Sequence, residues 1–511
     1  MRRRDLLKML PAALLATAPS TLWAQALKQR NRHDTLTIAY PTDIAGWDPL
    51  NMDPLQSAII RCVFEQPLAL AADLSPAPSP VRSALWLDDH CQQLQLLFRP
   101  DIRFHDGSRM SAADFRFSFL ERARQQPATL LAGVWSLIHE VELRSALEAV
   151  VHFQYPMATA KAMLADIPSF ILPAAYYRQQ GGSDAFARAP AGSGPYRLVE
   201  YQRGTRIVLE AFAGYWQGAA PIRRLVFLIS GDSVARAAMV QAGQADMAVD
   251  LSVRESLKLG ENSALTSHIH PSTAIVLLQM VNQGVFQNPD IRLALHYAID
   301  KKLLADGLFL GHATPVSVPA GPGMPGYLPD FEFPCDRNKA ISLLERNGYS
   351  SRQPLRIRFY TTKGVLPNDV EMAQAIQYMW RQVGIDADLQ VMSQAMIASY
   401  QQQGKIDGPL LQGWNPAAGD PGTYSGYLLH PDLSFALWKS ADVGQRLYPL
   451  MAETDEQKRL QKFREFDRWQ VMQGYSIPLF QRHTTSVGRS DLRFQPELTG
   501  LINPYHMHLR E

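Results

Sequence analysis

The spacing of apolar and polar residues predicts alternating strands and helices along most of the chain. Short runs that are apolar throughout, or apolar at every second position, are typical of strands. They occur at residues 36–40, 94–98, 205–210, 224–229, 275–281 and 355–360. Apolar residues that recur every three or four positions predict helices at residues 57–64, 112–123, 233–242, 291–304, 339–347 and 369–383.

The alternation through the second half of the chain indicates layered α/β structure. The run 275–281 is apolar apart from Gln279, which is typical of a strand buried in a sheet between helices. A chain of 511 residues is too long for one ordinary core, so two or three lobes are expected. Because no repeat or low-complexity linker separates them, the lobes should be joined by several chain crossings.

The first 26 residues have the three parts of an export signal. Arg2, Arg3 and Arg4 precede a short apolar run at residues 9–18, and Ala24-Gln25-Ala26 has the form of a cleavage site. The paired arginines resemble the twin-arginine pattern, although the general export route and a buried N-terminal helix remain alternatives. No Cys follows the cleavage site, so a lipid anchor is not expected, and the mature chain is predicted to be periplasmic.

The charge and the cysteine content of the chain exclude some classes of partner and of fold. The formal net charge is only +2, and no polybasic run is present, so neither nucleic acid nor a membrane surface is an expected partner. Cys62, Cys91 and Cys335 make an odd number of cysteines, which excludes a complete disulfide framework. A bridge between Cys62 and Cys91 is compatible with the sequence, and buried free thiols are the simpler interpretation.

Motifs for catalysis are weak. Gly231-Asp232-Ser233-Val234 resembles an esterase nucleophile block, but Ser233 as a helix cap, with Asp232 before it, explains it better. His105 and Asp106 lie in a turn signal, and His506 and His508 lie on a C-terminal segment where solvated side chains are the simpler interpretation. The sequence therefore predicts neither an enzyme nor a bound cofactor, and a periplasmic hydrolase is the less favoured alternative.

A series of short motifs occurs in the order of one known family. They are Trp47-Asp48-Pro49, residues 64–68 (FEQPL), residues 98–115 around FHDG, residues 192–196 (GSGPY), Tyr215-Trp216, Arg236, residues 243–246 (GQAD) and residues 292–300 (RLALHYAID). In this order, they resemble the extracellular solute-binding proteins of peptide and nickel ABC importers, solute-binding family 5. The resemblance extends from Leu36 to the C-terminus and is clearest between Trp47 and Asp300.

The resemblance implies an α/β protein with two lobes joined by a hinge, which close over a ligand in the cleft between them. It implies that residues 27–70, 190–283 and 484–511 form the first lobe, with residues 71–189 as its added subdomain. Residues 284–483 would form the second lobe. The expected partners are a small peptide or peptide-like solute and the permease subunits of an ABC importer, and the protein is expected to be a monomer.

The same resemblance supplies candidate ligand-binding residues. Trp414 and the later Asp420-Pro421 match the family's WxxDxxDP pattern, but the position that holds a peptide's α-amino group is Ala417. Asp420 would replace it only if the loop were rearranged, and a turn carboxylate is the alternative. About ten residues before the helix pattern that starts at Ala373, Lys363 stands where dipeptide binders carry an Arg that holds the ligand carboxylate.

Aromatic residues complete the expected site. Trp47, Trp414 and Tyr424 are candidates for the cleft walls, with ordinary core packing as the alternative for each. His430 follows Tyr424 closely, and nickel-binding relatives place histidine beside a metal chelate. The principal prediction is therefore a receptor for peptide-like solutes, and a receptor for a metallophore or opine is the second.

Overall fold

The structure is a computed structural model that describes residues 34–51, 54–127, 129–363, 365–415, 419–433 and 436–510. The predicted export signal at residues 1–26 and the candidate Ala417 lie outside the described residues. A search of the described part finds no helix with the length and apolar character needed to cross a bilayer.

The strands are numbered in chain order. They are β1 (Thr35–Tyr40), β2 (Ala69–Leu70), β3 (Pro76–Ala77), β4 (Val81–Trp86), β5 (Gln93–Phe98), β6 (Ile138–Ser145), β7 (Glu148–Phe153), β8 (Tyr196–Gln202), β9 (Arg206–Ala211), β10 (Arg224–Ile229), β11 (Met247–Val249), β12 (Leu265–Gln279), β13 (Ala313–Pro315), β14 (Leu355–Thr362), β15 (Ile385–Met392), β16 (Leu410–Trp414), β17 (Ser476–Arg489), β18 (Leu492–Arg493) and β19 (His508–Leu509).

The α-helices are numbered in the same way. They are α1 (Ser57–Val63), α2 (Ala112–Arg116), α3 (Arg122–Gln125), α4 (Leu130–Trp135), α5 (Ala160–Met163), α6 (Ala174–Gln180), α7 (Ser183–Arg188), α8 (Ser233–Gln241), α9 (Val253–Gly260), α10 (Pro289–Tyr297), α11 (Lys301–Phe309), α12 (Arg337–Glu345), α13 (Asp369–Arg381), α14 (Gln394–Gln402), α15 (Ser425–Leu428), α16 (Ala441–Met451) and α17 (Glu456–Met472).

One large sheet runs through both lobes. Among the described residues it has eleven strands, in the order β15-β14-β16-β12-β17-β11-β1-β10-β9-β8, with β13 also paired to β17. Parallel pairing joins β1 to β10 and β11 on one side, and β14 to β15 and β16 on the other. The long strands β12 and β17 pair antiparallel between these two groups. These two strands are therefore the crossings that connect the lobes.

The buried apolar residues form separate clusters. One surrounds the strands from residue 275 to residue 480, and another surrounds β1, β8 to β11 and the C-terminal residues 492–507. A third packs the antiparallel sheet β4-β5-β7-β6 against helices within residues 50–171. The protein is therefore a two-lobed α/β fold with an added antiparallel layer, and the boundaries given above remain a proposal.

Most of the predicted elements are confirmed, with one clear error. The single helix predicted over residues 291–304 is instead two helices, α10 and α11. The chain turns at Ala298, and the Asp300 carboxylate then accepts a hydrogen bond from the Leu303 amide at 2.9 Å, which starts α11. An apolar repeat that continues across such a cap conceals the break, because the cap changes only the backbone direction.

The predicted strand at residues 275–281 is confirmed as buried, but β12 is longer than expected. It begins at Leu265 in one lobe and ends at Gln279 in the other, and both of its neighbours in the sheet are antiparallel. The polar first half was not predicted as a strand because His268, His270 and the break at Pro271 interrupt the apolar pattern.

The three cysteines are free thiols. Cys62 lies on α1 in the first-lobe core, where its Sγ contacts the Ala58 carbonyl at 3.3 Å. Cys91 is also buried, with its Sγ 3.9 Å from the carbonyl of Ala452 in the second lobe. Burial raises the pKa of both thiols to about 12, so they are inert apolar side chains and not a disulfide.

The polar residues of the family motifs hold main-chain segments together. Asp48 forms a buried ion pair with Arg122 and accepts a hydrogen bond from the Tyr177 hydroxyl at 2.7 Å. Arg236 donates to three main-chain carbonyls, and Arg292 donates to three others. Buried guanidinium groups are tolerated where every donor direction meets an acceptor, so these motifs serve the fold.

Candidate functional site

The two groups of parallel strands have their carboxyl ends at a common region. In open α/β sheets, ligands bind in the crevice outside the carboxyl ends of parallel strands. In the first lobe these ends are Tyr40, Ile229 and Val249, and in the second lobe they are Thr362, Met392 and Trp414. The candidate site is therefore the cleft between these two edges.

The pairing of β12 with β17, the two hinge strands that connect the lobes, gives the width of this cleft. Ile269 pairs with Thr485 at the first-lobe edge, and Ile275 pairs with both Gln481 and Trp414 at the second-lobe edge. We call residues 270–274 and 481–485 the cleft floor. The separation of Gln481 and Thr485 along β17 corresponds to about 13 Å at the usual rise of a strand.

Trp414 lies at the second-lobe edge, as predicted for a cleft residue. Its ring is half-buried, and Nε1 donates to the Thr423 carbonyl at 3.0 Å. The next residue, Asn415, accepts a hydrogen bond through its side-chain oxygen from Thr273 Oγ1 at 3.1 Å. Thr273 belongs to the cleft floor, so the start of the candidate loop is fixed against the hinge.

Asp420 forms an ion pair with Arg459, which the sequence did not indicate. Its two carboxylate oxygens accept from Arg459 Nη1 at 2.8 Å and from Arg459 Nη2 at 2.5 Å. Both side chains are almost fully buried. One of these oxygens also accepts from the Gly422 amide at 2.8 Å, which is the turn role considered above. Both carboxylate oxygens of Asp420 are therefore engaged by protein donors, and its charge is balanced by Arg459.

Two of the predicted cleft walls are buried inside the lobes. Tyr424 is 1% exposed, and its hydroxyl lies so close to Gly326 that a Cβ there would be 2.2 Å away. Trp47 is also 1% exposed and packs edge-to-face on Tyr201 in the first-lobe core, at 6.0 Å between ring centroids. Neither ring presents a surface to the cleft in this structure, and ligand contact by either stays a prediction.

Lys363 lies at the same edge as Trp414. Strands β14 and β16 run parallel with Tyr360 opposite Leu410, so Lys363, just after β14, is level with the end of β16. The Lys363 side chain is exposed. The following turn is held by Asp369, whose carboxylate accepts from Thr362 Oγ1 at 3.1 Å and from the Val365 amide at 3.0 Å. The structure thus brings a cation to the predicted edge.

His430 has local partners and does not join the cleft residues. Its Nδ1 accepts from the Asp432 amide at 3.3 Å, its ring lies 5.6 Å from that of Tyr448, and burial lowers its pKa. Among the residues that the structure describes, no group of three His, Cys, Asp or Glu side chains is arranged to hold a metal ion. The metal-chelate interpretation of His430 therefore gains no support from its surroundings.

The weak catalytic motifs have structural roles. Asp232, and not Ser233, caps α8 by accepting from the Ala235 amide at 2.7 Å, so the expected cap is one residue earlier. His105 contacts the Gly194 carbonyl through Nε2 at 2.9 Å and the Gly192 amide through Nδ1 at 3.2 Å. Burial lowers the pKa of His105 to about 4, which keeps this linking imidazole neutral.

The cleft floor carries polar residues that the sequence interpretation missed. Arg482 lies 3.4 Å from the Asp250 carboxylate, and His270 contacts Thr484 Oγ1 through Nε2 at 3.2 Å. His483 contacts Thr314 through Nε2 at 2.9 Å, and burial lowers its pKa to about 4. These residues belong to no motif, and only the pairing of two distant strands brings them together.

The subdomain covers the candidate loop from one side. Leu74, in the turn between β2 and β3, lies so close to Gly419 that a Cβ there would be 2.6 Å from it. Thr159 is in similar contact with Gly422, and the Ala158 amide donates to the Met451 carbonyl at 2.9 Å. Residues 74 and 158–159 of the proposed subdomain and the second lobe are therefore in contact beside the candidate loop.

Beside this loop, the buried Asp467 gives a prediction for pH dependence. Burial raises its pKa from an ordinary 3.8 to about 7, which corresponds to about 4 kcal/mol of stability present below pH 4 and lost as pH rises through 7. We expect Asp467→Asn to raise the free energy of unfolding by about 2 kcal/mol at pH 8, because the neutral amide avoids the cost of burying a charge. The gain is smaller than about 4 kcal/mol because the amide forms imperfect hydrogen bonds. The gain should vanish at pH 4.

Urea unfolding of the wild type and the variant at both pH values measures this effect. Asp386→Asn is the control because the Asp386 side chain is 62% exposed and its substitution should change little at either pH. Equal stabilities of wild type and Asp467→Asn at pH 8 would contradict the expectation.

Comparisons with known proteins agree with this architecture. The model of "Bacterial extracellular solute-binding proteins, family 5 Middle" matches residues 76–434. The glutathione-binding protein GsiB of Pectobacterium atrosepticum is 27% identical over 361 residues, which cover 68% of this chain and 67% of the relative. The GsiB protein of Salmonella paratyphi A is 24% identical over 86% of this chain and 84% of its own length.

Solved structures share the whole fold at lower identity. HbpA2 from Haemophilus parasuis superimposes with a TM-score of 0.81 at 20% identity, covering 93% of this chain and 100% of its own. The periplasmic binding protein DppA from Helicobacter pylori, solved with the peptide STSA, gives 0.79 at 20% identity, with 93% and 98% covered. NikA from Staphylococcus aureus, solved with Ni(L-His)2, gives 0.76 at 18% identity, with 93% and 100% covered.

Proposed function

Because this chain belongs to family 5 of the bacterial extracellular solute-binding proteins, we propose that it captures a short, anionic, peptide-like solute in the cleft between its lobes. It would bind the solute without changing it and deliver it to the permease of an ABC importer. The location would be the periplasm, reached through the N-terminal signal, and the working form a monomer. The single observation that carries this proposal is the pair of facing carboxyl edges, joined by β12 and β17.

The size of the cleft floor supports a short ligand. An extended peptide of three or four residues spans about 10 to 14 Å, which matches the roughly 13 Å between the two edges. Glutathione, the ligand in the names of the GsiB relatives, has a suitable length.

The charges at the second-lobe edge favour a ligand whose α-amino group needs no acidic anchor there. Ala417 occupies the amine-binding position of the family pattern, and Asp420 is already paired with Arg459. A free ammonium group buried there would lack a counter-charge, which is costly. Lys363, at the same edge, is the proposed anchor for a carboxylate. Glutathione satisfies this pattern because its γ-linkage leaves a carboxylate beside its amino group.

Binding measurements with matched peptides test the proposal. We expect glutathione to raise the melting temperature and to bind tightly in isothermal titration, whereas Ala-Ala, with its free amino terminus, should bind at least about thirtyfold more weakly. A ligand at a hundredfold excess over its Kd adds about 2.7 kcal/mol of stability. Ala417→Asp should reverse the preference, because its carboxylate would pair with the dipeptide ammonium and repel an anionic ligand.

The control is Ala375→Asp, on the partly buried face of α13, which reports any general effect of a new carboxylate in the second lobe. Preference for Ala-Ala by the unaltered protein would contradict the proposed class of solute. Hydrolysis of any bound peptide would contradict the assignment as a receptor.

A further inference from the structure

Arg482 is placed on the cleft floor with more hydrogen-bond donors than its partners use. Its Nη2 atom lies 3.4 Å from the Asp250 carboxylate, and the Arg482 side chain is 16% exposed. The Nε hydrogen has no acceptor among the described residues, although water cannot reach that atom. A guanidinium group carries five N–H donors and is suited to a second, planar acceptor.

His270 contributes a second polar atom without a partner at the same place. Its Nε2 lies 3.2 Å from Thr484 Oγ1 and 3.3 Å from the Glu497 carbonyl, while Nδ1 is buried and has no partner in the described chain. The Nδ1 of His270 and the Nε of Arg482 therefore lack partners on neighbouring strands of the cleft floor. Buried polar atoms without partners are uncommon and indicate groups that remain to be supplied. Because Nε2 of His270 faces a carbonyl and carries the ring proton, Nδ1 is an acceptor, whereas Nε of Arg482 is a donor.

A small cavity lies beside these atoms. It has a volume of about 30 Å³ and is lined, among others, by Tyr40, Asp250, His270, Arg482 and Thr484. This volume holds roughly one or two water-sized groups, which suits a carboxylate and excludes a whole peptide. Because Tyr40 and Asp250 stand at the ends of β1 and β11, the cavity lies at the first-lobe edge of the cleft.

Asp250 is held in an orientation that fixes Arg482. Its backbone is in the left-handed region, with φ of 54°, which non-glycine residues adopt only when their surroundings hold them. The amide donates to the Thr485 carbonyl at 2.8 Å, and the carbonyl accepts from Arg236 at 2.6 Å. The Asp250 carboxylate then holds the guanidinium group through Nη2, and Nε is left without an acceptor among the described residues.

From these contacts we infer that Arg482 forms a second anchor for a ligand carboxylate, on the first-lobe side of the cleft and beside the acceptor atom of His270. The inference rests on the proposed function and refines the class of solute. One carboxylate binds at the Lys363 edge of the second lobe, and a second binds at the Arg482 guanidinium group, which contacts Asp250 at the first-lobe edge. The preferred solutes are therefore short peptide-like molecules with carboxylates at both ends, and Asp250 is a positioning residue.

Isothermal titration with glutathione and with its glycine ethyl ester tests this anchor. Arg482→Gln should weaken glutathione binding at least tenfold, because the variant loses the charge-assisted pair. Arg254→Gln is the control, since Arg254 is exposed on α9 in the same lobe. Asp250→Asn should weaken glutathione binding by less than Arg482→Gln does, because asparagine tolerates the left-handed backbone and its side-chain oxygen can still accept from the guanidinium group.

The outcomes separate this inference from the proposed function. Loss of glutathione binding in Arg482→Gln, with a smaller loss in Asp250→Asn, supports the anchor. If the wild type binds the ester as weakly as Arg482→Gln binds glutathione, and Arg482→Gln binds glutathione and the ester equally, the glycine carboxylate is the group that contacts Arg482. Unchanged glutathione affinity in Arg482→Gln overturns the inference. So does a wild type that binds neutral or single-carboxylate peptides in the wider screen but not glutathione, a result that leaves the receptor function intact.

Discussion

Arg459→Ala is expected to lower the free energy of unfolding by about 3–5 kcal/mol. The substitution would leave the Asp420 carboxylate buried without its counter-charge, since the Asp420 side chain is only 11% exposed. The bidentate pair also fixes the short turn that carries the candidate loop from Trp414 to Tyr424. Urea unfolding of the purified variant measures the loss.

Two comparisons show whether the buried charge is responsible. Asp306→Ala removes one partner of the exposed pair Lys302–Asp306, whose side chains are 78% and 52% exposed, and should cost less than about 1 kcal/mol. Arg459→Met combined with Asp420→Asn removes both charges and keeps a side-chain oxygen to cap Gly422. This double variant should recover much of the stability. A loss below about 1 kcal/mol in Arg459→Ala would contradict the role assigned to the pair.

Lys363→Ala is expected to weaken the binding of a carboxylate ligand about thirtyfold or more, which corresponds to about 2 kcal/mol. The Lys363 side chain is exposed in this structure, and a ligand held between the two edges would cover it and exclude water from the ion pair. Lys363→Arg should keep most of the affinity because it retains the charge and can form a two-point contact.

Lys258→Ala is the matched control, because Lys258 is an exposed lysine on α9 in the first lobe. Its removal changes the net charge by the same amount but leaves the second-lobe edge intact. Isothermal titration of the three variants at two salt concentrations distinguishes a direct contact from general electrostatic attraction. Equal affinities for Lys363→Ala and Lys258→Ala would show that Lys363 is not the carboxylate anchor.

The sequence predicted the fold well because most elements have a strong local pattern. Strands such as β10 and helices such as α13 combine a regular apolar period with clear ends, and both were predicted within two residues. The hinge strand β12 was predicted only in its apolar half. Its polar half is a strand because β17 pairs with it over most of its length, and no local pattern reports such pairing.

The site was harder to predict because its residues come from distant parts of the chain. Trp414 and Lys363 were identified through the family pattern, and the structure places them at one edge of the sheet. Arg459, which forms the ion pair with Asp420, lies 39 positions later on α17 and belongs to no motif. Arg482 was missed for the same reason, since only the register of β17 brings it to the cleft floor.

The motifs that identify the family give little information about the ligand. Glu65, from the FEQPL motif, accepts from the Tyr215 hydroxyl at 3.1 Å and from Trp216 Nε1 at 2.8 Å, and burial raises its pKa to about 7. This links two motifs of the series to each other inside the first lobe. Such contacts serve the fold of this chain, whereas the choice of solute depends on the residues of the cleft.

Native mass spectrometry of the purified protein, after incubation with a mixed library of short peptides, tests the central claim most directly. The structure predicts one dominant non-covalent complex whose added mass equals that of an intact, short, anionic peptide such as glutathione. Lowering the ligand concentration should release the same unchanged molecule. Recovery of cleaved or modified products, or no retained peptide at any concentration, would contradict the assignment of this protein as a receptor for peptide-like solutes.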